Sequence, residues 1–559
     1  MMRLQFFNII LAGSFLLLYS CAKPGSPTGG PKDTQSPVVE ETDPPAGSTN
    51  FSGNKIDIKF NEYVQLNNIQ QNLIVSPPFS EKPEVKIRGK GIRIILPEEP
   101  VENTTYSFTF LDAISDITER NMKSSLVYAF STGDEIDSLR IGGSVRDAWT
   151  GEKMSDIYVL LYENPADSAF KTMEPGYLTK TNASGDFMFF YLAEGSYNIY
   201  ALDDANNSYT FDQPNEEIAF LDRQISPEVK ILRDSTDSIT GYDYHPMNLE
   251  LRLFEQESFQ QYIEESNRPR PDKLEVIFRR PQDSVVKWES PDFDENDVYT
   301  EFSPDSDSLH FWLKDTSLCN TDSLRMMLTY HSGIDSLGSE VDSLMFAMEK
   351  GKKEIKFKLD NNLNQNNLNY WDTLSFVSNN VLQEVRPELI QVNREVNDST
   401  KTSLDFGVIM TDPRHFQIDA DFRADQSYEI ILDSAAVESV LHQVNDSTHI
   451  AFNLNEPTDF AKLKIKIPGT GEAWFCDLLQ NDQLKRRLAG DDSGLFVFDR
   501  LPPGTYDIRL VKDANRNLKW DTGNIDQNRQ PEPVWYKEES VELRANWQQE
   551  IEWLLFNEE

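Results

Sequence analysis

The sequence predicts an all-β protein, a string of sandwich domains, and three observations carry that prediction. Apolar and polar residues alternate in short runs such as 56–60 (IDIKF), 106–110 (YSFTF) and 463–467 (LKIKI), the pattern of strands with one buried face. Pro, Gly and Asn punctuate the gaps between these runs. The 559 residues are too many for one core and imply three to five domains of roughly 100 to 150 residues. Only 38% of residues are hydrophobic, but 11% aromatics with many Val, Ile and Thr suffice for thin sandwich cores. With 93 Asp and Glu against 53 Lys and Arg, the net charge of −40 argues against nucleic acid, which needs a basic face. It suits a solvated envelope protein kept soluble by self-repulsion, or one that collects divalent cations.

Residues 1–20 carry Arg3 and an apolar run over 4–18, and they end in Leu18-Tyr19-Ser20 before Cys21. The run is short of the roughly 18 to 20 apolar residues a membrane span needs, so it reads as a signal peptide. Small Ser20 before Cys21 resembles the bacterial lipoprotein site. That resemblance implies cleavage after Ser20, acylation (palmitate) of Cys21 and anchoring in a membrane, with 93 acidic against 52 basic residues left in the mature chain, or −41. Ala22 does not resemble an inner-membrane retention signal, so the outer membrane is expected, and the acidity favours the cell surface. Residues 21–36, rich in Gly and Pro, form a flexible tether.

Residues 37–134 hold five or six short strands. Pro44-Pro45-Ala46-Gly47-Ser48-Thr49-Asn50, Ile58-Lys59-Phe60-Asn61-Glu62, Thr104-Thr105-Tyr106 and Phe130-Ser131-Thr132-Gly133 resemble the motifs of the bacterial Ig-like domain found in S-layer proteins. The resemblance implies a sandwich that acts as a spacer or binding module without catalysis.

Residues 184–212 then align without a gap to residues 493–521 at a constant offset of 309, matching Gly185 with Gly494, Phe187 with Phe496, Tyr197 with Tyr506 and Asp204 with Asp513. Each copy reads as a strand with aromatics inward, a Gly turn, a second strand and a loop dense in Asp and Asn. Residues 138–244 and 471–559 resemble the transthyretin-like, carboxypeptidase-regulatory-like sandwich, whose members are generally non-catalytic. Between them, 245–362 and 363–470 read as two further β-rich domains meeting in the Asn-rich stretch 361–372. Runs such as 274–278, 309–313, 324–330, 355–359 and 428–432 supply their strands. Phe254, Phe259, Tyr262 and Ile263 are expected on one short helix. Cys319 and Cys476 lie far apart and are expected as separate buried thiols.

Two constellations carry candidate chemistry. Asp513, Asn515, Asn517 and Asp521 stand at positions one, three, five and nine of a loop, the spacing by which alternate oxygens surround Ca2+. Asp204, Asn206, Ser208 and Asp212 are the sibling set, and the competing reading of both is an Asx turn that satisfies its own backbone. The second constellation is Asp followed by Ser or Thr and then an apolar residue or Thr. It occurs at Ser138, Ser168, Ser235, Ser238, Ser284, Ser308, Ser323, Ser336, Ser343, Thr373, Ser399, Ser434 and Ser447. This resembles the O-glycosylation sequon that some Gram-negative bacteria use on envelope proteins, set against the plain role of Asp-Ser as a turn before a strand.

No nucleophile elbow, zinc helix, P-loop or C-x-x-C is present, and no catalytic residue is assigned. The expected function is that of a non-catalytic outer-membrane lipoprotein, a structural or interaction subunit of a cell-envelope complex that assembles or exports outer-membrane proteins. Its partners would be a barrel protein or other lipoproteins. One rival is a glycan-binding surface protein or adhesin using Trp149, Trp312, Trp371, Trp520 and Trp535 as stacking platforms. Another is a cryptic hydrolase within 245–470, whose paired carboxylates would meet only in space.

Overall fold

The computed structural model describes residues 33–555 apart from 124–125, 164–167, 258–259, 283–284, 334–337, 349–355, 398–399, 425 and 469–472. The signal sequence, Cys21 and most of the tether lie outside the described residues. The last tether residues are held, since Asn121 Nδ2 donates to the carbonyls of Asp33 (3.1 Å) and Gln35 (3.2 Å). The all-β expectation holds: the α-helices among the described residues are single turns such as Ala169–Thr172 and Thr316–Cys319. The chain divides into two compact units, Met1–Glu255 and Gln256–Glu559.

Two hydrophobic cores build the first unit. Strands Lys55–Phe60, Gly91–Ile95, Thr105–Phe110 and Leu126–Ser131 turn alternate residues inward, burying Ile56, Ile58, Phe60, Ile94, Phe108 and Phe130. Rings of this size bury roughly 150 to 250 Å2 each and dominate so thin a core. The two ends of the sequence motif close on each other. Asn50, in the left-handed region at φ 52, donates its N–H to the Gly133 carbonyl at 2.9 Å, while Thr132 Oγ1 donates to Val101 at 2.7 Å.

In the second core, Leu139–Asp147 pairs antiparallel with Asp186–Leu192 and parallel with Leu249–Glu255. Tyr158–Tyr162 lies between Tyr177–Lys180 and Asn198–Leu202. Strand Leu249–Glu255 therefore belongs to this sandwich, past the boundary at 244 read from sequence. Alternate Leu249, Leu251 and Leu253 are buried in it. This also corrects the expected helix: Phe254 lies in that strand, Ile263 opens strand Ile263–Arg270, and Phe259 lies outside the described residues.

Three further cores build the second unit. The first gathers Leu274, Val276, Phe311, Leu324, Leu328 and Phe346. The next, around Phe376, Phe416, Tyr428, Ile430 and Phe452, already includes Phe357 and Leu359 at its edge. The stretch 361–372 is thus no junction. Asn364 and Asn367 bridge across Gln365 and Asn366, both at positive φ, in a turn internal to this sandwich. Of the run 355–359, only Leu359 enters a strand (Leu359–Asn361), and Ile355 lies outside the described residues.

The last core starts earlier than 471. Ala461–Lys466 pairs antiparallel with Leu495–Leu501 and parallel with Gln548–Glu552, the arrangement of Leu139–Asp147 in the first copy. Trp474–Gln480 lies between Gln483–Ala489 and Gly504–Lys512. The repeat thus extends to topology. Even the buried tyrosines repeat, with Tyr197 Oη donating to Ala193 (3.0 Å) and Tyr506 Oη to Pro502 (2.8 Å).

Candidate functional site

The two Asp/Asn loops follow the second repeat strand in each copy. Asp513 Oδ1 accepts the N–H of Asn517 (3.0 Å) and Oδ2 that of Leu518 (3.0 Å). Asn515 Nδ2 and Asn517 Nδ2 both donate to Asp521 Oδ2, at 2.6 and 3.1 Å. The side-chain oxygens of Asn515 and Asn517 accept N–H groups of Asn517 and Lys519. In the first copy Asp204 takes the N–H groups of Asn206, Ser208 and Tyr209, and Asn206 Nδ2 donates to Asp212.

The spacing therefore does bring all four residues together in each copy, as interlocked Asx turns. The amide nitrogens point at the carboxylate of Asp521, and the arrangement is that of Asx turns. Among the described residues no cluster of three or more His, Cys, Asp or Glu has metal-holding geometry.

A fifth member of each loop was not read from sequence. Glu532 accepts from Ala514 N–H (2.8 Å) and Asp521 N–H (3.1 Å), and Glu216 accepts from Ala205 and Asp212 in the same way. Burial, with Asp521 and Asp513 nearby, pushes the Glu532 carboxyl above its ordinary range. Glu216 and Glu532 stand at different distances from their repeats, so a constant offset does not find them.

Ser284, Ser336 and Ser399 lie outside the described residues. Ser308 is half-buried, its hydroxyl donating to Asp307, and the other nine Asp-Ser/Thr positions are exposed, Ser343 in mid-strand. Cys319 and Cys476 are buried and free, and burial pushes the Cys319 thiol up to about 11. The tryptophans are mostly packed. Trp312 is buried, Trp535 lies 5.0 Å from Trp474, Trp520 donates Nε1 to the Glu532 carbonyl, and Trp149 is half-buried.

Trp312 and Trp371 share a role that sequence did not reveal. The Arg414 guanidinium, carried by the fourth sandwich, lies 3.9 Å from the Trp312 ring centre in the third, while its Nε and Nη2 donate to the Ser378 carbonyl. Glu301 completes the joint, taking Trp312 Nε1 (2.9 Å) and an Arg414 N–H. In the next joint Trp371 packs 4.6 Å from Phe460, and Arg500 of the fifth sandwich lies 5.0 Å from the Trp371 ring.

Glu275 and Glu301 flank His310, the nearest approach to a carboxylate pair. Burial would raise both, but Lys273 and His310 hold Glu275 low, and His310, Arg414 and Trp312 hold Glu301 low. Neither is the raised general acid that glycoside hydrolysis requires.

A second charged cluster is buried in the last sandwich. Asp477, 0% exposed, takes a bidentate pair from Arg487 (Nε to Oδ1 at 2.7 Å, Nη2 to Oδ2 at 2.8 Å), while Nε and Nη2 of Arg509 both donate to Oδ2 (3.0 and 2.7 Å). Four guanidinium donors on two oxygens, one pair of them in fork geometry, satisfy the buried charge.

Residues 33–132 match the family model described as Bacterial Ig-like domain. The first sandwich is thus a bacterial Ig-like domain, in keeping with the motif resemblance. No curated protein matches the chain. Among solved structures, the major pilin subunit of Bacillus cereus aligns at 8% identity over 75% of this chain and 99% of its own, with a TM-score of 0.14. The S-layer protein rSbsC(31-844) aligns at 8% identity over 91% of this chain and 68% of its own, with a TM-score of 0.15. An L,D-transpeptidase from Mycobacterium smegmatis aligns at 14% identity over 23% of this chain and 55% of its own, with a TM-score of 0.13. No helix among the described residues is long and apolar enough to cross a membrane, which says nothing of a β-barrel.

Proposed function

We propose that this chain is a non-catalytic lipoprotein of the outer membrane, acylated at Cys21 and facing the cell surface, that serves as a structural and interaction subunit of a cell-envelope complex. Assembly or export of outer-membrane proteins is the task this reading assigns to the complex. The observation that carries it is the pair of Arg-on-Trp joints in the second unit. A guanidinium over an indole, buried at Trp312 and half-buried at Trp371, contributes about 0.5 to 2 kcal/mol and fixes orientation as well as distance. Three sandwiches joined in this way behave as one stiff body, which is what a scaffold needs and an isolated enzyme domain does not. The lowered Glu275 and Glu301 carboxyls and the absence of a nucleophile motif agree with this reading. The Asp/Asn loops act in it as turns that hold the ends of the two repeat sandwiches.

The test is to tag the C-terminus, solubilise the outer membrane in mild detergent and identify what co-purifies. A barrel protein or another lipoprotein in stoichiometric amount is expected. A solitary monomer contradicts the interaction role.

A further inference from the structure

The two repeat sandwiches share a bulge that they fill differently. In the first copy Leu139 faces Leu192 and Ile141 faces Phe189, so Phe190 and Tyr191 stand opposite Arg140. In the last sandwich Ala461 faces Leu501 and Leu463 faces Phe498, so Asp499 and Arg500 stand opposite Lys462. Tyr191 and Arg500 both take the left-handed region, at φ 60 and 57. Arg140 is exposed and lies 5.3 Å from the Phe190 ring and 4.8 Å from that of Tyr244. Lys462 instead pairs with Asp499 at 2.8 Å, and Arg500 makes no ion pair among the described residues.

This charged bulge floors an open groove of about 430 Å3, within the roughly 300 to 1,000 Å3 usual for ligand sites. Tyr370, Asn546 and Trp547 form its walls. Trp547 keeps half its surface exposed, with Arg544 5.0 Å from the ring. Arg500 is exposed, its guanidinium oriented by the rings of Trp371 and Tyr370 at 5.0 and 5.8 Å.

We propose that this groove binds an acidic oligosaccharide, a chain of sugar rings bearing carboxylates. A pyranose presents an apolar C–H face and a rim of hydroxyls. The indole of Trp547 offers a flat apolar surface to the face, and Lys462, Asp499 and Asn546 offer donors and acceptors to the rim. Arg500 supplies the planar fork that matches a carboxylate, already oriented by two rings and without an ion-pair partner among the described residues. The charge points the same way. In a chain of −40, the groove sets Lys462 and Arg500 against Asp499 alone, so an anion is drawn here and repelled elsewhere. In the first copy Phe190 and Tyr191 stand where the last sandwich has Asp499 and Arg500, so that bulge carries one cation, Arg140, instead of two. This inference shares Arg500 with the joint of the fourth and fifth sandwiches but needs no protein partner, and it survives if none is found.

The experiment is calorimetric titration of the full-length protein in detergent with hexagalacturonate and with a hyaluronan hexasaccharide, against cellohexaose and hexaglutamate. At least one uronate oligosaccharide is expected to bind at a single site, more tightly than either comparator. Arg500→Gln, which keeps a planar group over the rings, and Trp547→Ala are each expected to weaken it about tenfold. Tyr191→Ala is expected to leave it unchanged. The proposal is overturned if neither uronate binds at millimolar concentration, if cellohexaose or hexaglutamate binds as well, or if Arg500→Gln binds like the unaltered chain.

Discussion

The two repeat sandwiches share register and topology, yet their outer faces hold opposite chemistry. In the first copy Leu160 faces Leu178 on one side and Tyr200 on the other. At the same register in the last sandwich Asp477 faces Arg487 and Arg509. The inner faces agree, with Val159 and Leu161 in one core and Cys476 and Leu478 in the other. The apolar face is docked on the Ig-like domain: Leu178 N–H donates to Ser76 Oγ at 3.1 Å, and Leu73, Val75 and Pro78 lie in the same crevice as Leu178. The charged face is sealed from within its own sandwich, by Tyr536 on Arg509 and by the Leu518 carbonyl on Arg487. One scaffold therefore makes a docking face when three outward positions are apolar, and a closed surface when they form an ionic triad.

The largest effect expected from breaking this difference is at Asp477. Asp477→Ala strands two partly buried guanidinium groups and is expected to cost about 3 to 5 kcal/mol, read as faster hydrogen exchange of strand Trp474–Gln480. A cost below about 1 kcal/mol would mean that water already reaches the site. Installing the first copy's residues together, Asp477→Leu, Arg487→Leu and Arg509→Tyr, is expected to be neutral or stabilising by up to about 4 kcal/mol. The new apolar face should also make the protein self-associate at a concentration where the unaltered chain does not, visible by ultracentrifugation.

A smaller effect follows from Glu301. Burial would raise its carboxyl, but His310, Arg414 and Trp312 hold it below its ordinary 4.5 in the folded chain. A carboxyl lowered on folding contributes stability above its unfolded pKa and loses it as pH falls through the folded value. The joint of the third and fourth sandwiches should therefore be tight above about pH 4.5 and loosen below it. Protease cleavage near Arg414 is expected to rise on going from pH 5 to pH 3, and Glu301→Gln should flatten that dependence.

Much of this architecture was legible in the sequence. Alternation located strands, and the offset of 309 located the repeat, because both depend on near neighbours along the chain. What failed was assignment to a sheet. Run 463–467 read correctly as a strand, whereas 249–255 was missed and its Phe254 assigned to a helix; each segment pairs in parallel with a distant strand, so local pattern placed both on the wrong side of a boundary. The ionic triad was half visible. Asp477 interrupts the apolar run WFCDLLQ, while its partners lie 10 and 32 residues away on strands that only register brings together. The joints were invisible because Trp312 with Arg414, and Trp371 with Arg500, are separated by about a whole sandwich. Their indoles therefore read as exposed platforms for sugar, whereas the structure uses them as bearings for arginine.

The central claim is that the three sandwiches of the second unit move as one body. Spin labels on Val341→Cys and Leu484→Cys, both exposed positions on the third and fifth sandwiches, allow a pulsed electron-spin distance measurement that tests it directly. A single narrow distance distribution is expected, broadening when Arg414→Ala is added. A broad distribution in the double-labelled chain with Arg414 intact would contradict the claim, since the joints would then be hinges.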